Sequence, residues 1–222
     1  MEHKRLTLFA GHYGSGKTNI AVNYALLLAK EGKRVCIADL DIVNPYFRTK
    51  DSEKELTESG ITLISPRFAN SNVDLPALPA ESYRLVQDRS CYGVMDIGGD
   101  DRGAYALGRF VDAIKAEGDY RMAFVVNCFR PLTQTVEDTV EIMREIEAAA
   151  GIRFTCIVNN SNIGSETTRE LFEESIAFAE AVSRATDLPI WLHTVEKSIA
   201  EGISGIPVMP LTLQKKYFDL PQ

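Results

Sequence analysis

Residues 11–18 read Gly11-His12-Tyr13-Gly14-Ser15-Gly16-Lys17-Thr18, a complete G-x-x-x-x-G-K-[ST] octet. It follows an apolar run over 6–10 and precedes a helix-like stretch over 19–30. That strand–loop–helix setting is the one in which such an octet folds as a phosphate-binding loop. With glycine near 7% of average usage, the four fixed positions match by chance in about one chain in a hundred of this length. Gly11, Gly14 and Gly16 let backbone N–H groups, that of Ser15 among them, converge on phosphate oxygens. The positive end of the following helix adds to the attraction. Lys17 is expected to neutralise the β- and γ-phosphates, and the Thr18 hydroxyl to ligate Mg²⁺. The octet therefore predicts a bound nucleoside triphosphate.

Outward from the loop, apolar runs of strand length fall at 6–10, 34–38, 61–64, 93–97, 122–128, 154–159 and 190–194. Most are continuously apolar, as expected of parallel strands covered on both faces. Between them run amphipathic stretches. Ile20, Tyr24, Leu27 and Leu28 share one helical face; Val136, Val140, Met143 and Ile146 share another, ended by Gly151; Phe172, Ile176 and Ala179 mark a third. A further helix is expected around 102–115. Alternating strands and helices predict a doubly wound α/β domain over 1–222, with a mostly parallel sheet of about seven or eight strands and helices on both faces. Ligands of such sheets lie at the carboxyl ends of the strands. The Pro-rich stretch 65–80 reads as a surface loop or lid.

Two strand ends carry acids. The second strand runs into Asp39-Leu40-Asp41-Ile42. Two carboxylates at the end of a buried strand require a positive partner, and Mg²⁺ with its waters would supply it. Asp39 is read as an outer-shell magnesium ligand and Asp41 as the group that orients the attacking water. The fourth strand closes on Asp96-Ile97-Gly98-Gly99-Asp100, a Walker B and switch arrangement. Here Asp96 would hold Mg²⁺ through water and a glycine N–H would sense the γ-phosphate. The sixth strand ends Asn159-Asn160-Ser161-Asn162. Asn159 is placed to hydrogen-bond a nucleobase. The guanine-reading N-K-x-D pattern is broken, with Asn160 at the Lys position and Asn162 at the Asp position, which favours adenine and hence ATP.

Composition limits the remaining choices. The 222 residues include 24 basic and 31 acidic side chains, a net charge of −7, which argues against broad nucleic-acid binding. No apolar stretch approaches the roughly 20 residues of a membrane span, and no secretory leader is expected ahead of the first strand. Cys36, Cys91, Cys128 and Cys156 are widely spaced. Three lie in strand-like runs and read as buried thiols, whereas Cys91 lies just ahead of such a run. A reduced, cytoplasmic setting is expected.

The assembled set resembles the MinD/ParA/Mrp class of P-loop ATPases, which includes the nitrogenase iron protein. Asp39-Leu40-Asp41-Ile42 is similar to that class's D-x-D-I stretch, Asp96-Ile97-Gly98-Gly99-Asp100 to the iron protein's switch, and Asn159-Asn160-Ser161 to the N-M-S of Mrp-type members. Glu196 to Gly202, then Gly205-Ile206-Pro207-Val208, resembles the class's closing segment. The resemblance implies slow Mg·ATP hydrolysis that switches a protein partner or cargo. Two departures matter. The lysine usual at the second loop position, which reaches a partner subunit's nucleotide in a sandwich dimer, is His12, so a homodimer of another kind is the expectation if one forms. Gly103 stands where the iron protein has a cluster-binding cysteine. The loop also resembles metallochaperone GTPases, which keep N-K-x-D. Dethiobiotin synthetase and cobyrinic acid diamide synthase share the fold and lack the second lysine. An ATP-dependent ligase or kinase therefore stays open as the alternative, as does a binding module with negligible turnover.

Overall fold

The computed structural model describes residues 1–41, 49–64, 83–99 and 101–213. Expectations placed on 42–48, on the 65–80 loop, on Asp100 and on the tail beyond 213 lie outside the described residues.

Eight strands form one sheet: β1 (Leu6–Ala10), β2 (Val35–Leu40), β3 (Thr62–Ile64), β4 (Tyr92–Ile97), β5 (Tyr120–Val126), β6 (Cys156–Asn159), β7 (Ile190–Glu196) and β8 (Val208–Leu211). Their order is β3-β2-β4-β1-β5-β6-β7-β8, and all seven ladders are parallel. The connections reverse direction at β1, so the crevice at its carboxyl end is the topological switch point where a ligand fits. The Gly11–Thr18 octet occupies it.

Strand parity divides the apolar residues into two cores. Leu8 of β1, Ala38 of β2, Met95 of β4 and Phe124 of β5 face one core, which they share with Leu107, Ile114, Met143 and Val182. Those four lie on α4 (Asp101–Gly108), α5 (Val111–Glu117), α6 (Val136–Ala150) and α7 (Arg169–Thr186). Phe9, Ile37, Val94 and Val125 face the other core, with Ile20, Tyr24 and Leu28 of α1 (Lys17–Lys30) and Leu56 of α2 (Glu53–Glu58). Two short helices, α3 (Arg84–Gln87) and α8 (Lys197–Ala200), complete the set. Both faces being covered explains why the strands read as unbroken apolar runs.

Local signals set the helix ends. Thr135 caps α6 by accepting from the Asp138 N–H at 3.1 Å, and Gly151 ends it in the left-handed region at φ 70°. The single helix expected around 102–115 is instead two helices, α4 and α5. Gly108 weakens helical continuity, and the Phe110 N–H donates to the Leu107 carbonyl at 2.8 Å, a turn that lets both side chains reach the core fully buried. The eighth strand has no separate signal in the sequence. It is four residues long and contains Pro210, which the sheet tolerates because β8 lies at the edge. All four cysteines are free thiols; Cys91 is buried with Cys36 and Cys156, and Cys128 is the half-buried one.

Candidate nucleotide site

The loop conformation follows from its glycines. Gly14 and Gly16 have φ +77° and +86°, values that L side chains rarely adopt. A Cβ on Gly11 would stand 2.3 Å from the Val125 carbonyl oxygen of β5, so only glycine lets the loop leave β1 this close to its neighbour. Gly16 lies at the N-terminal cap of α1, which leads the chain directly into Lys17 and Thr18. Lys17 is 5% exposed and its Nζ donates to the His12 carbonyl at 3.1 Å, which holds the ammonium at the loop.

Parity also places the acids. Val94 and Ile37 face the α1 core, so Asp96 and Asp39, two residues further along their strands, face α1 as well. The two are registered partners across the β2–β4 ladder, 1% and 3% exposed. Asp41 follows, 8% exposed, its N–H donating to Asp39 Oδ1 at 3.0 Å. Asp96 Oδ2 accepts from the Thr49 hydroxyl at 3.1 Å, whereas its Oδ1 is buried without a hydrogen-bond partner. Burial pushes the Asp96 carboxyl up to about 6, against the pull of the nearby Thr18 hydroxyl and Lys17 ammonium and with further lift from Asp41. A buried carboxylate with an unsatisfied oxygen beside a second carboxylate is a set that a hard cation fits. Among the described residues no three His, Cys, Asp or Glu side chains form a metal-binding group.

Gly99 closes the site from β4. A Cβ on it would stand 2.7 Å from the Tyr13 nitrogen and 2.8 Å from Lys17 Nζ. Gly103 of α4 packs so tightly on Gly98 that its Cβ would fall 2.4 Å from the Gly98 Cα. The Gly98-Gly99 pair thus links the loop to α4 by direct backbone contact.

The asparagines at the end of β6 divide by parity. Asn160 points to the loop side: its Nδ2 donates to the Ser15 carbonyl at 2.6 Å, and its Oδ1 accepts from the Thr194 hydroxyl at 2.7 Å. Asn159, expected to read a base, points the other way, toward α7. It is fully buried, with Nδ2 donating to Ser175 Oγ at 2.9 Å and to His193 Nδ1 at 3.2 Å. Its Oδ1 accepts from the Ser161 N–H at 3.1 Å. The Asn159 side-chain nitrogen and oxygen are thus both engaged inside the protein, on the face of β6 away from the loop. Asn162, at the Asp position of the broken motif, uses its own Nδ2 on the Asn160 carbonyl at 2.7 Å.

Sequence reasoning missed Asn127, Arg130 and Thr49. Asn127 Oδ1 accepts from the Phe129 N–H at 3.1 Å, while its Nδ2 donates to the Asn162 carbonyl at 3.0 Å. It thereby ties the β5 end to the β6 end. Arg130 Nε donates to the Gly14 carbonyl at 2.9 Å. A polar or basic residue just past an apolar strand is the signal that marked Asp39 and Asp96, and it applied equally at Asn127 and Arg130.

Fold and loop together define a P-loop nucleotide-binding protein of the α/β class. The family model described as the CobQ/CobB/MinD/ParA nucleotide binding domain matches residues 6–182, and the chain belongs to that family. Among curated proteins none matches the sequence significantly. Solved structures of similar fold include the cell division protein FtsY of Thermotoga maritima, with TM-score 0.60 at 18% identity over 89% of this chain and 64% of that one. Chloroplast FtsY of Physcomitrella patens gives 0.59 at 16% identity, over 90% and 61%. The 54 kDa signal recognition particle protein of Aeropyrum pernix, solved in complex with GDP, gives 0.54 at 16% identity, over 88% and 42%. The chain spans less than two thirds of the length of each, and at these identities the likeness is one of fold.

Proposed function

We propose that this chain is a cytoplasmic Mg²⁺-dependent ATPase whose nucleotide state controls its hold on a protein partner or cargo. The observation that carries the reading is the gathering of Lys17, Thr18, Asp39, Asp41 and Asp96 on the α1 side of the sheet, at the mouth of a glycine-shaped loop. In the proposed complex the backbone of Gly11, Gly14, Ser15 and Gly16 and the Lys17 ammonium hold the β- and γ-phosphates. Thr18 would bind Mg²⁺ directly, and Asp39 and Asp96 through water. When bound, the ion supplies neutralising charge to the phosphates. Asp41 positions the attacking water in line with the γ-phosphate.

Adenine is preferred because Asn162 brings no carboxylate to accept from guanine's amino and imino hydrogens. Partner control is supported by the contact chain from Lys17 through Gly99 and Gly98 to Gly103 of α4. Any displacement of the glycines on loss of the γ-phosphate must move that helix.

Calorimetry of the wild-type protein and Lys17→Ala with Mg·ATP and Mg·GTP, together with phosphate release, tests the reading. ATP should bind more tightly than GTP, turnover should be slow, and Lys17→Ala should lose most of the affinity. Tighter GTP binding overturns the adenine assignment, and an unchanged Lys17→Ala affinity overturns the loop reading. Transfer of phosphate to one small carboxylic acid would place the chain among ligases instead.

A further inference from the structure

We propose that Arg130 is a second cationic contact to the bound nucleotide's phosphates, supplied within the same chain. This inference rests on the nucleotide reading above and assigns a residue beyond the loop itself. Arg130 follows β5, the strand beside β1. Its Nε donates to the Gly14 carbonyl at 2.9 Å, and its Nε, Cδ and Cζ lie 3.5, 3.6 and 3.9 Å from where a Cβ on Gly14 would stand. The guanidinium therefore lies against the middle of the phosphate loop. Among the described residues its two terminal nitrogens take part in no hydrogen bond or ion pair. An arginine fixed through one nitrogen, with a free two-nitrogen edge, is built to meet an oxyanion in a bidentate manner.

The turn that carries Arg130 is held from several sides. The Arg130 N–H donates to the Asn127 carbonyl at 3.2 Å, and the Thr133 N–H to the Arg130 carbonyl at 2.9 Å. The Thr133 hydroxyl donates to the Asn127 carbonyl at 2.6 Å. Asn127 is in turn locked to Asn162. The residue is thus placed before any ligand arrives, and preorganised charge contributes more than charge recruited on binding.

His12 does not fill this role. Its Nδ1 contacts the Tyr13 carbonyl at 2.9 Å, and burial lowers its pKa, with the Lys17 charge acting in the same direction. Its charge is not a permanent one near pH 7, whereas the Arg130 guanidinium is charged throughout.

Arg130→Ala, Arg130→Gln and Arg130→Lys, each titrated with Mg·ATP, Mg·ADP and adenosine and melted without ligand, test the assignment. Glutamine can still donate to the Gly14 carbonyl but carries no charge. Alanine and glutamine should both weaken ATP by about tenfold or more, ADP less, and adenosine not at all, with lysine intermediate. Their melting temperatures should stay within about 3 °C of wild type. ATP affinity within twofold of wild type in both neutral variants overturns the proposal. So does an equal loss for adenosine, which would mean a base or sugar contact, or a loss restored fully by glutamine, which would mean that Arg130 only braces Gly14. Wild-type protein that binds no nucleotide refutes the ATPase reading and this inference together, an outcome plainly different from variants that match a binding wild type.

Discussion

Asn160 of the β6 end and Ser15 of the phosphate loop are joined by a 2.6 Å bond from side-chain Nδ2 to backbone carbonyl, past the one strand, β5, that separates β6 from β1. The same nitrogen would lie 2.3 Å from a Cβ on Gly16. Asn160→Ala should leave the buried Ser15 carbonyl unpaired, costing about 1–3 kcal/mol of stability, and should weaken nucleotide binding by loosening the loop. Denaturant melts and calorimetry read the two effects. Gly16→Ala should be worse in both, and adding Asn160→Ala should not rescue it, because the φ of +86° remains strained for alanine.

Asp96→Asn should separate stability from function. Removing a buried charge that has one unpartnered oxygen should raise the melting temperature of the ligand-free protein by a few degrees, on the scale of about 1 kcal/mol or more. The same change should abolish the Mg²⁺-dependent gain in ATP affinity. A destabilised Asp96→Asn protein would show that the carboxylate serves the fold rather than a cation.

Asp41→Asn should keep ATP binding and cut turnover by roughly 10²-fold or more, on the scale of lost water positioning. Phosphate release and calorimetry on one preparation decide it. Light scattering with and without Mg·ATP then tests the oligomer. With His12 in the second loop position, no ATP-driven shift from monomer to dimer is expected, and a clean shift would show that another group closes a sandwich.

His193 gives a pH dependence with a definite sign. It is 3% exposed, accepts from Asn159 Nδ2 on its Nδ1, and burial lowers its pKa below the ordinary 6.5. Below about pH 6.5 the unfolded chain takes up a proton that the folded chain refuses, so this residue makes stability fall as pH drops through that window, by at most about 1.4 kcal/mol per unit. Urea midpoints at several pH values should show a shallower slope for His193→Gln than for wild type over about pH 5.5–7. Equal slopes would mean that His193 is protonated in the fold.

The sequence by itself determined the elements that rest on local pattern: the phosphate loop between strand and helix, the parallel α/β class, and the acids at the ends of β2 and β4. Those acids were legible because a charge closing an apolar run is costly wherever the strand goes. Parity also separates Asn160 from Asn159, since consecutive residues face opposite sides of a sheet, and it is Asn160 that meets the loop. What only the tertiary structure decided is non-local. Strand order brings β5 beside β1 and so sets Arg130 on Gly14, 116 residues apart in sequence. It brings Asn160 to Ser15 across 145. The break between α4 and α5 and the Pro-bearing edge strand β8 were likewise fixed by what the core and the sheet edge could accept. Hydrophobic periodicity records which face of an element is buried, but it does not record which neighbour buries it.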